Sequence, residues 1–247
     1  MKKENTIFGI RPVIEALKAG KEIEKIMIQK GLRGEGFYLL NSLIKKLEVP
    51  IQFVPIDKLN QITRLNHQGV IAFISEISYQ KLEFIIPFSY EQGKVPLILV
   101  LDRITDVRNL GAIARTAECA GVDGLLLPEK GSAQLNAVAI KTSAGALYKL
   151  PACRSHNLKE SIQFMKNSGL RIVAATEKAS IDYTEADFTK PIALIVGSEE
   201  DGVSDEYLKL TDERVRIPLH GEIESLNVSV ASGVILYEIL RQRKLAE

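Results

Sequence analysis

The feature that most constrains the fold is a set of unbroken apolar runs in the C-terminal part of the chain. They occupy residues 96–102, 124–127, 171–175 and 192–196. A strand buried on both faces has this pattern, whereas a strand with one wet face alternates apolar and polar residues. The intervening segments have helical spacing and predict helices over 110–120, 134–147, 158–168 and 204–210, with a last helix over 226–244. This alternation predicts an α/β domain with a parallel sheet covered by helices, whose ligands bind at the carboxyl ends of the strands.

The first eighty residues form a separate pattern of shorter elements. Their spacing predicts helices over 10–19 and 37–47 and strands over 25–29, 51–54 and 70–74. The next segment carries Pro87 and Gly93 among mixed charges, which is typical of a linker. We therefore expect a small α/β domain over 1–80, a linker over 81–95 and the larger parallel-sheet domain over 96–247.

Charge gives no sign of a broadly basic nucleic-acid binder, because 32 Lys+Arg are balanced by 31 Asp+Glu. The balance is uneven along the chain: residues 1–94 hold 14 basic and 10 acidic side chains, whereas residues 95–247 hold 18 and 21. The apolar fraction of 46% excludes a disordered chain. Cys119 and Cys153 are too few for a disulfide framework and are expected to be small apolar fillers. Without a signal peptide or a long apolar run, a cytoplasmic protein with no membrane segment is expected.

Several common site types are excluded by their missing residues. No Gly-x-Gly-x-x-Gly motif follows a strand, so a dinucleotide site is not expected. Gly197 and Gly202 have the spacing of a phosphate loop, but Val203 replaces its lysine and three acidic residues between the glycines would repel phosphate. No Cys/His cluster has the spacing of metal ligands, so no metal is expected.

Three polar segments remain, each starting where a strand is expected to end. In the first, Asn109 is a plausible N-cap for a helix starting at Leu110. If that helix extended back by one turn, Arg108 and Arg115 would share a face, and two arginines near a helix N-terminus form an anion site. The alternative is that Arg115 is a solvated arginine on an amphipathic helix.

The second and third segments also have two interpretations. Glu199 follows Gly197 after an apolar strand and is either solvated or part of a site, and Ser204 is a plausible helix cap. Ser225 and Asn227 precede the last helix, where they are either capping residues or ligands.

Together, the three segments resemble the three signature motifs of the SpoU (TrmH) family of RNA ribose 2′-O-methyltransferases, within the wider SPOUT class. The matching residues run in order from Asn109 and Arg115, through Glu199 and Gly202, to the Ser-Leu-Asn-Val-Ser stretch at 225–229. Residues 7–17 and 66–72 resemble the N-terminal RNA-binding domain, similar to ribosomal protein L30e, of the branch that modifies guanosine in 23S rRNA. One departure is Val107, where the family usually has a proline that stiffens the turn.

The resemblance implies S-adenosylmethionine as methyl donor and an RNA ribose 2′-hydroxyl as acceptor, most closely a guanosine in the peptidyltransferase region of 23S rRNA. It also implies a C-terminal trefoil knot and a homodimer with the site near the subunit interface, and the apolar character of the last helix agrees with burial against a second subunit. Two alternatives stay open, the same reaction on a tRNA nucleotide and a non-enzymatic RNA-binding or ribosome-assembly protein.

The resemblance also assigns roles by position. The positions that match the family's functional polar residues are Asn109, Arg115, Glu199, Ser225 and Asn227. Cofactor contacts are expected from Thr176, Gly197, Gly202, Ile217 and Leu226, and RNA contacts from Arg11, His67 and Arg108. A free guanidinium is a poor base because its pKa exceeds about 12. Arg115 is therefore expected to grip phosphate and stabilise the developing alkoxide, with direct proton abstraction as the alternative.

Overall fold

The computed structural model of the chain describes residues 6–47, 49–223 and 225–246. Its internal contacts divide it into two units, Met1–Ser78 and Tyr79–Glu247. Each unit has its own sheet and its own hydrophobic core.

The first unit is the small α/β unit expected from the sequence. Its sheet has the order β1-β4-β2-β3, with β2 and β3 parallel and the other pairs antiparallel. Val13, Leu17 and Leu40 on the helices pack against Ile26 and Ile28 on the sheet. In chain order, its elements are β1 (Thr6–Phe8), α1 (Ile10–Lys18), β2 (Ile23–Gln29), α2 (Glu35–Leu47), β3 (Ile51–Val54), α3 (Ile56–Ile62) and β4 (Val70–Ile74).

The second unit contains an eight-stranded sheet in which every described strand pair is parallel. Its strands are β5 (Tyr79–Gln80), β6 (Leu97–Leu101), β7 (Gly124–Pro128), β8 (Ala152–Ser155), β9 (Arg171–Ala175), β10 (Ile181–Asp182), β11 (Ile192–Val196) and β12 (Glu213–Arg216). Its helices are α4 (Leu82–Glu91), α5 (Val107–Cys119), α6 (Ala137–Thr142), α7 (Leu158–Asn167), α8 (Asp205–Leu208) and α9 (Val228–Ala246). The strand order is β10-β12-β9-β11-β6-β7-β8-β5, so the first and fourth apolar runs form neighbouring central strands. Every residue of these two strands is buried, as the unbroken apolar pattern predicted.

The structure differs from the sequence prediction at four places. Residues 81–95 are not an irregular linker, because Leu82–Glu91 form α4 with Pro87 inside it. The helix expected over 134–147 is shorter, because Ala144 and Gly145 adopt positive φ values of 51° and 86° and end it. Helix α5 begins at Val107 rather than Leu110. Cys119 is exposed and is not a core filler, whereas Cys153 is buried as expected.

Helix α9 packs on α5 and is anchored at its C-terminal end by Arg243. The Arg243 guanidinium donates hydrogen bonds to the carbonyl groups of Val95, Pro96, Phe188 and Lys190, at 2.6, 3.2, 3.2 and 3.0 Å. These carbonyls lie just before β6 and β11, so the helix is fixed to the amino edge of the sheet.

The trefoil knot stays a prediction.

Candidate functional site

The first turn of α5 is set by Asp106, not by Asn109. The Asp106 carboxylate accepts hydrogen bonds from the backbone N–H groups of Arg108 and Asn109, both at 2.8 Å. Asp106 is therefore the N-cap, and its carboxylate already occupies the end of the helix that would otherwise bind an anion. The expected anion site is reduced to the side chains of Arg108 and Arg115. The amide of Asn109 is left free for other contacts.

That amide belongs to a cluster that brings the three polar segments together. Asn109 Nδ2 donates to Glu199 Oε1 at 2.8 Å, and Asn227 Nδ2 donates to the same oxygen at 2.5 Å. Asn227 Nδ2 also lies 3.1 Å from Asn109 Oδ1. Within the described ranges, the second carboxylate oxygen of Glu199, Oε2, has no hydrogen-bond partner. The cluster thus fixes the Glu199 carboxylate through one oxygen and leaves the other open.

Asn227 combines this contact with a capping role. Its Oδ1 accepts from Ser229 N at 3.0 Å, and its backbone carbonyl accepts from Val230 N and Ala231 N. Capping and site contacts, the two interpretations of this residue from the sequence, are therefore both present. Ser225 is exposed and lines the cavity described next.

A cavity of about 680 Å³ lies at the carboxyl ends of β9, β11 and β12. It is lined by all five residues expected to contact a cofactor, which are Thr176, Gly197, Gly202, Ile217 and Leu226. In the described part of the chain, the backbone N–H and C=O groups of Ile217 and Leu226 have no hydrogen-bond partner. The buried hydroxyl of Ser204, which also lines the cavity, has none either. The cavity therefore has apolar walls with polar groups ready to bind a ligand.

The loop that floors this cavity is closed on itself. Ser198 and Gly202 exchange backbone hydrogen bonds of 3.1 and 3.0 Å. A Cβ atom on Gly197 would lie only 1.9 Å from the carbonyl carbon of Gly202, so this turn requires glycine at position 197. A smaller cavity of about 290 Å³ adjoins the loop and is lined by Asn109, Glu199 and Asp106. Glu199 therefore faces both cavities.

The two arginines of α5 are exposed and lie outside both cavities. Among the residues that the structure describes, neither the Arg108 nor the Arg115 side chain has a hydrogen-bond or ion-pair partner. Both guanidinium groups are thus available to a ligand. The structure does not bring Arg115 into the Asn109–Glu199–Asn227 cluster.

In the first unit, hydrogen bonds join three loops at one edge of the sheet. Gly9 N donates to Val70 O at 3.0 Å, Ile10 N to Gln68 Oε1 at 3.2 Å, and Gln29 N to Gly69 O at 2.8 Å. The exposed cationic side chains at this edge are Lys30, Arg33 and Arg64 on the loops and Arg11 in the first turn of α1. A basic edge of this kind was not identified from the sequence, because its members are far apart along the chain.

His67 lies on one of these loops but points inward. It is 6% exposed, its Nδ1 accepts from Gly69 N at 3.0 Å, and its Nε2 lies 3.0 Å from Asn60 Oδ1. Since Nδ1 is an acceptor, Nε2 carries the proton and donates to Asn60. This geometry does not fit the expected RNA contact by His67, whose side chain instead supports the loop. Arg11 is exposed, and its contact with RNA stays a prediction.

The described residues hold neither a candidate metal cluster nor a helix that could cross a membrane. No group of three or more His, Cys, Asp or Glu side chains among them is arranged to hold a metal ion. No helix among them has the length and apolar character needed to cross a membrane.

Comparison with known families gives matches over both units. Residues 96–237 match the profile of the SpoU rRNA Methylase family, and residues 6–80 match that of RNA 2′-O ribose methyltransferase substrate binding. A Bacillus subtilis protein named for the TrmH family of tRNA/rRNA methyltransferases is 33% identical over 238 residues, covering 96% of this chain and 95% of the relative.

Solved structures agree with these matches. An rRNA methyltransferase from Sinorhizobium meliloti with bound S-adenosylmethionine has a TM-score of 0.62 and 27% identity, over 96% of this chain and 87% of that one. The TrmH/SpoU tRNA-modifying enzyme of A. aeolicus has a TM-score of 0.58 and 36% identity, over 62% of this chain and 78% of that one.

Proposed function

The chain belongs to the SpoU family of RNA methyltransferases, and from that premise we propose that it methylates a ribose 2′-hydroxyl of RNA. The observation that carries the proposal is the Asn109–Glu199–Asn227 cluster, which joins three distant segments beside the large cavity. The hydrogen bonds within the cluster hold the three segments together. The remaining carboxylate oxygen of Glu199, Oε2, is arranged to accept a hydrogen bond from a ligand.

S-adenosylmethionine is the cofactor of this family, and the large cavity fits it. The free backbone groups of Ile217 and Leu226 and the unpaired Ser204 hydroxyl supply polar contacts between apolar walls. The acidic side chains at the rim, Glu199 among them, suit a ligand that carries a positive charge. When bound, S-adenosylmethionine supplies an electrophilic methyl group on a sulfonium. The residues we propose to hold it are Thr176, Gly197, Gly202, Ile217 and Leu226.

Glu199 is proposed to position the accepting hydroxyl. Asn109 and Asn227 hold its Oε1, and these hydrogen bonds restrain rotation of the carboxylate, including Oε2. A hydrogen bond from the ribose hydroxyl to Oε2 would fix the oxygen at the border of the two cavities, and holding a reactant in place lowers the barrier to reaction. Ser225 is proposed to shape the floor of the same site.

Arg115 is proposed to contact RNA and to stabilise negative charge on the ribose oxygen as its proton leaves. Its side chain is exposed and free within the part of the chain that is described, and Arg108 lies seven residues earlier on the same helix face. Guanidinium groups bind phosphate through two parallel hydrogen bonds, which also orients the nucleotide. Because Arg115 lies outside both cavities, we propose a homodimer in which the RNA spans the subunit interface.

The proposed target is a guanosine of 23S rRNA in the peptidyltransferase region, methylated in the cytoplasm. The match of residues 6–80 to a substrate-binding family supports an RNA-holding role for the first unit. Its exposed Arg11, Lys30, Arg33 and Arg64 lie on one edge and supply the local positive charge that the whole-chain balance conceals.

The test is methyl transfer from tritiated S-adenosylmethionine to unmodified 23S rRNA, followed by digestion to nucleosides and mass spectrometry. We expect label in 2′-O-methylguanosine. Arg115→Ala should lower kcat/KM about 10²–10³-fold, the usual effect of removing a group that stabilises transition-state charge. Arg115→Lys should also fail, because an ammonium group lacks the two parallel donors.

The matched control is Arg171→Lys, at an arginine paired with Glu213 away from both cavities, which should retain activity. Label in tRNA instead of rRNA would overturn the proposed target but not the reaction. RNA binding with no methyl transfer and no calorimetric signal for S-adenosylhomocysteine would overturn the enzymatic function in favour of an RNA-binding protein.

A further inference from the structure

Arg103, the second residue after β6, has an unusual backbone conformation and a side chain that donates four hydrogen bonds. Its φ is +57°, in the left-handed region that is uncommon for a bulky residue. The side chain folds back on its neighbour Asp102, with Nε 3.0 Å from Oδ1 and Nη2 3.2 Å from Oδ2. The Asp102 side chain is only 2% exposed, so Arg103 is the cation that balances a buried carboxylate.

The same guanidinium reaches across to the loop that floors the cofactor cavity. Nη1 donates to Asp201 Oδ2 at 3.1 Å and Nη2 to the Gly202 carbonyl at 3.1 Å. Asp102 completes the connection, because its Oδ2 accepts from Ser204 N at 2.7 Å. Three of the four positions that precede α8, Asp201, Gly202 and Ser204, are thereby tied to the end of β6. The hydrogen bond to Asp102 raises the pKa of Arg103 above its ordinary value, so the guanidinium stays charged.

This connection matters because the loop that floors the cofactor cavity also lines the smaller cavity. Arg103, Ser198, Glu199, Glu200 and Asp201 line both of them. The loop is closed by its own Ser198–Gly202 hydrogen bonds, so it would move as one piece if it were released from β6. Such a movement would change the shape of the cofactor cavity and would shift Glu199 at the same time.

We infer that Arg103 is a positioning residue that clamps the 198–204 loop to the sheet and thereby sets both the affinity for S-adenosylmethionine and the place of Glu199. The inference rests on the proposed function of the cavity. Arg103 itself acts through the loop, because its guanidinium donates hydrogen bonds to Asp102, Asp201 and Gly202. A lysine here would keep the charge but would lose the forked geometry that joins three acceptors at once.

The experiment compares wild type, Arg103→Lys and the control Arg171→Lys, in which an ion-paired arginine of similar exposure lies at the start of β9. The first readout is hydrogen–deuterium exchange of the protein without ligand. We expect faster exchange of the Ser204 amide, which donates to Asp102, in Arg103→Lys, and no change there in Arg171→Lys. Calorimetry with S-adenosylhomocysteine should show a Kd raised about tenfold in Arg103→Lys only. In the methyl-transfer assay, KM for S-adenosylmethionine should rise by more than kcat falls.

Unchanged exchange and unchanged Kd in a folded Arg103→Lys protein would overturn the inference. Equal effects of the two substitutions would do so as well, because they would reflect a general loss of stability. If the wild-type protein binds no S-adenosylhomocysteine, the proposed function fails. If wild type and Arg103→Lys bind it equally well, only the inference about Arg103 is overturned.

Discussion

Cys119 and Cys153 carry the same thiol but lie in different surroundings. Burial, with a smaller contribution from the charge of Glu83, raises the pKa of Cys153 to about 12, whereas Cys119 is exposed at the end of α5. The thiolate is the reactive form, so Cys153 stays protonated and inert until the solution is strongly alkaline. Residue type alone predicted both as apolar fillers, although the helical spacing of the α5 residues places position 119 opposite the buried Leu110.

We therefore expect one thiol per native chain to react with a disulfide reagent near neutral pH, and two after unfolding in guanidinium chloride. Absorbance of the released thiolate gives the count. Cys119→Ser should abolish the native reaction and leave one reactive thiol in the unfolded protein. Two native thiols that react at equal rates would contradict the burial of Cys153.

For the site, residue type identified candidate residues but did not identify the contacts between them. Asn109, Glu199 and Asn227 were identifiable because polar residues at the expected ends of apolar strands stand out from their neighbours. Their mutual hydrogen bonds were not, because the three positions are 90 and 28 residues apart along the chain. Arg103 was missed because an arginine beside an aspartate has the appearance of an ordinary surface pair.

At the scale of elements, the strands buried on both faces were predicted best, because burial on both sides leaves an unbroken apolar run. The two-residue strands β5 and β10 bury little and leave no such signal. Helix α5 was predicted to begin three residues late, since its first turn carries no buried residue before Leu110. Helix α4 was missed because Pro87 and Gly93 suggested a break.

The cap of α5 gives a prediction at this scale. Asp106→Ala removes the acceptor of two backbone N–H groups and should lower the free energy of unfolding by about 1 kcal/mol. Asp106→Asn should retain most of the stability, since an amide oxygen also accepts these bonds. Urea unfolding measures the change. Because Asn109 lies in the same turn, Asp106→Ala should also lower methyl transfer.

Helix α6 supplies the control for this second effect. Asn136 caps it in the same way, accepting from Val138 N and Ala139 N, and lines neither cavity. Asn136→Ala should lose similar stability but keep its activity after correction for the folded fraction. Equal activity losses in both variants would show that the α5 cap has no particular role in the site.

At the scale of the whole molecule, the two ends of α9 have different roles. Its C-terminal end is fixed to the sheet by Arg243, while Asn227 at its N-terminal end belongs to the site. Between them, Val230 and Tyr237 are 52% and 51% exposed, and their spacing of seven residues places them on one face. An exposed apolar face of this kind is typical of a surface that packs against another protein chain.

We predict that a second copy of the chain covers this face. Sedimentation equilibrium should give twice the chain mass of 27.4 kDa for the wild type. Tyr237→Asp should shift the protein toward monomer, because a carboxylate would be buried without a partner in the interface. Phe84→Asp, at a 68% exposed position on α4, should remain dimeric. If Arg115 serves a site completed by the second copy, the Tyr237→Asp monomer should also lose methyl transfer while retaining S-adenosylhomocysteine binding. A wild-type monomer with full activity would contradict both statements, since each subunit would then need to bring Arg115 to its own cavities.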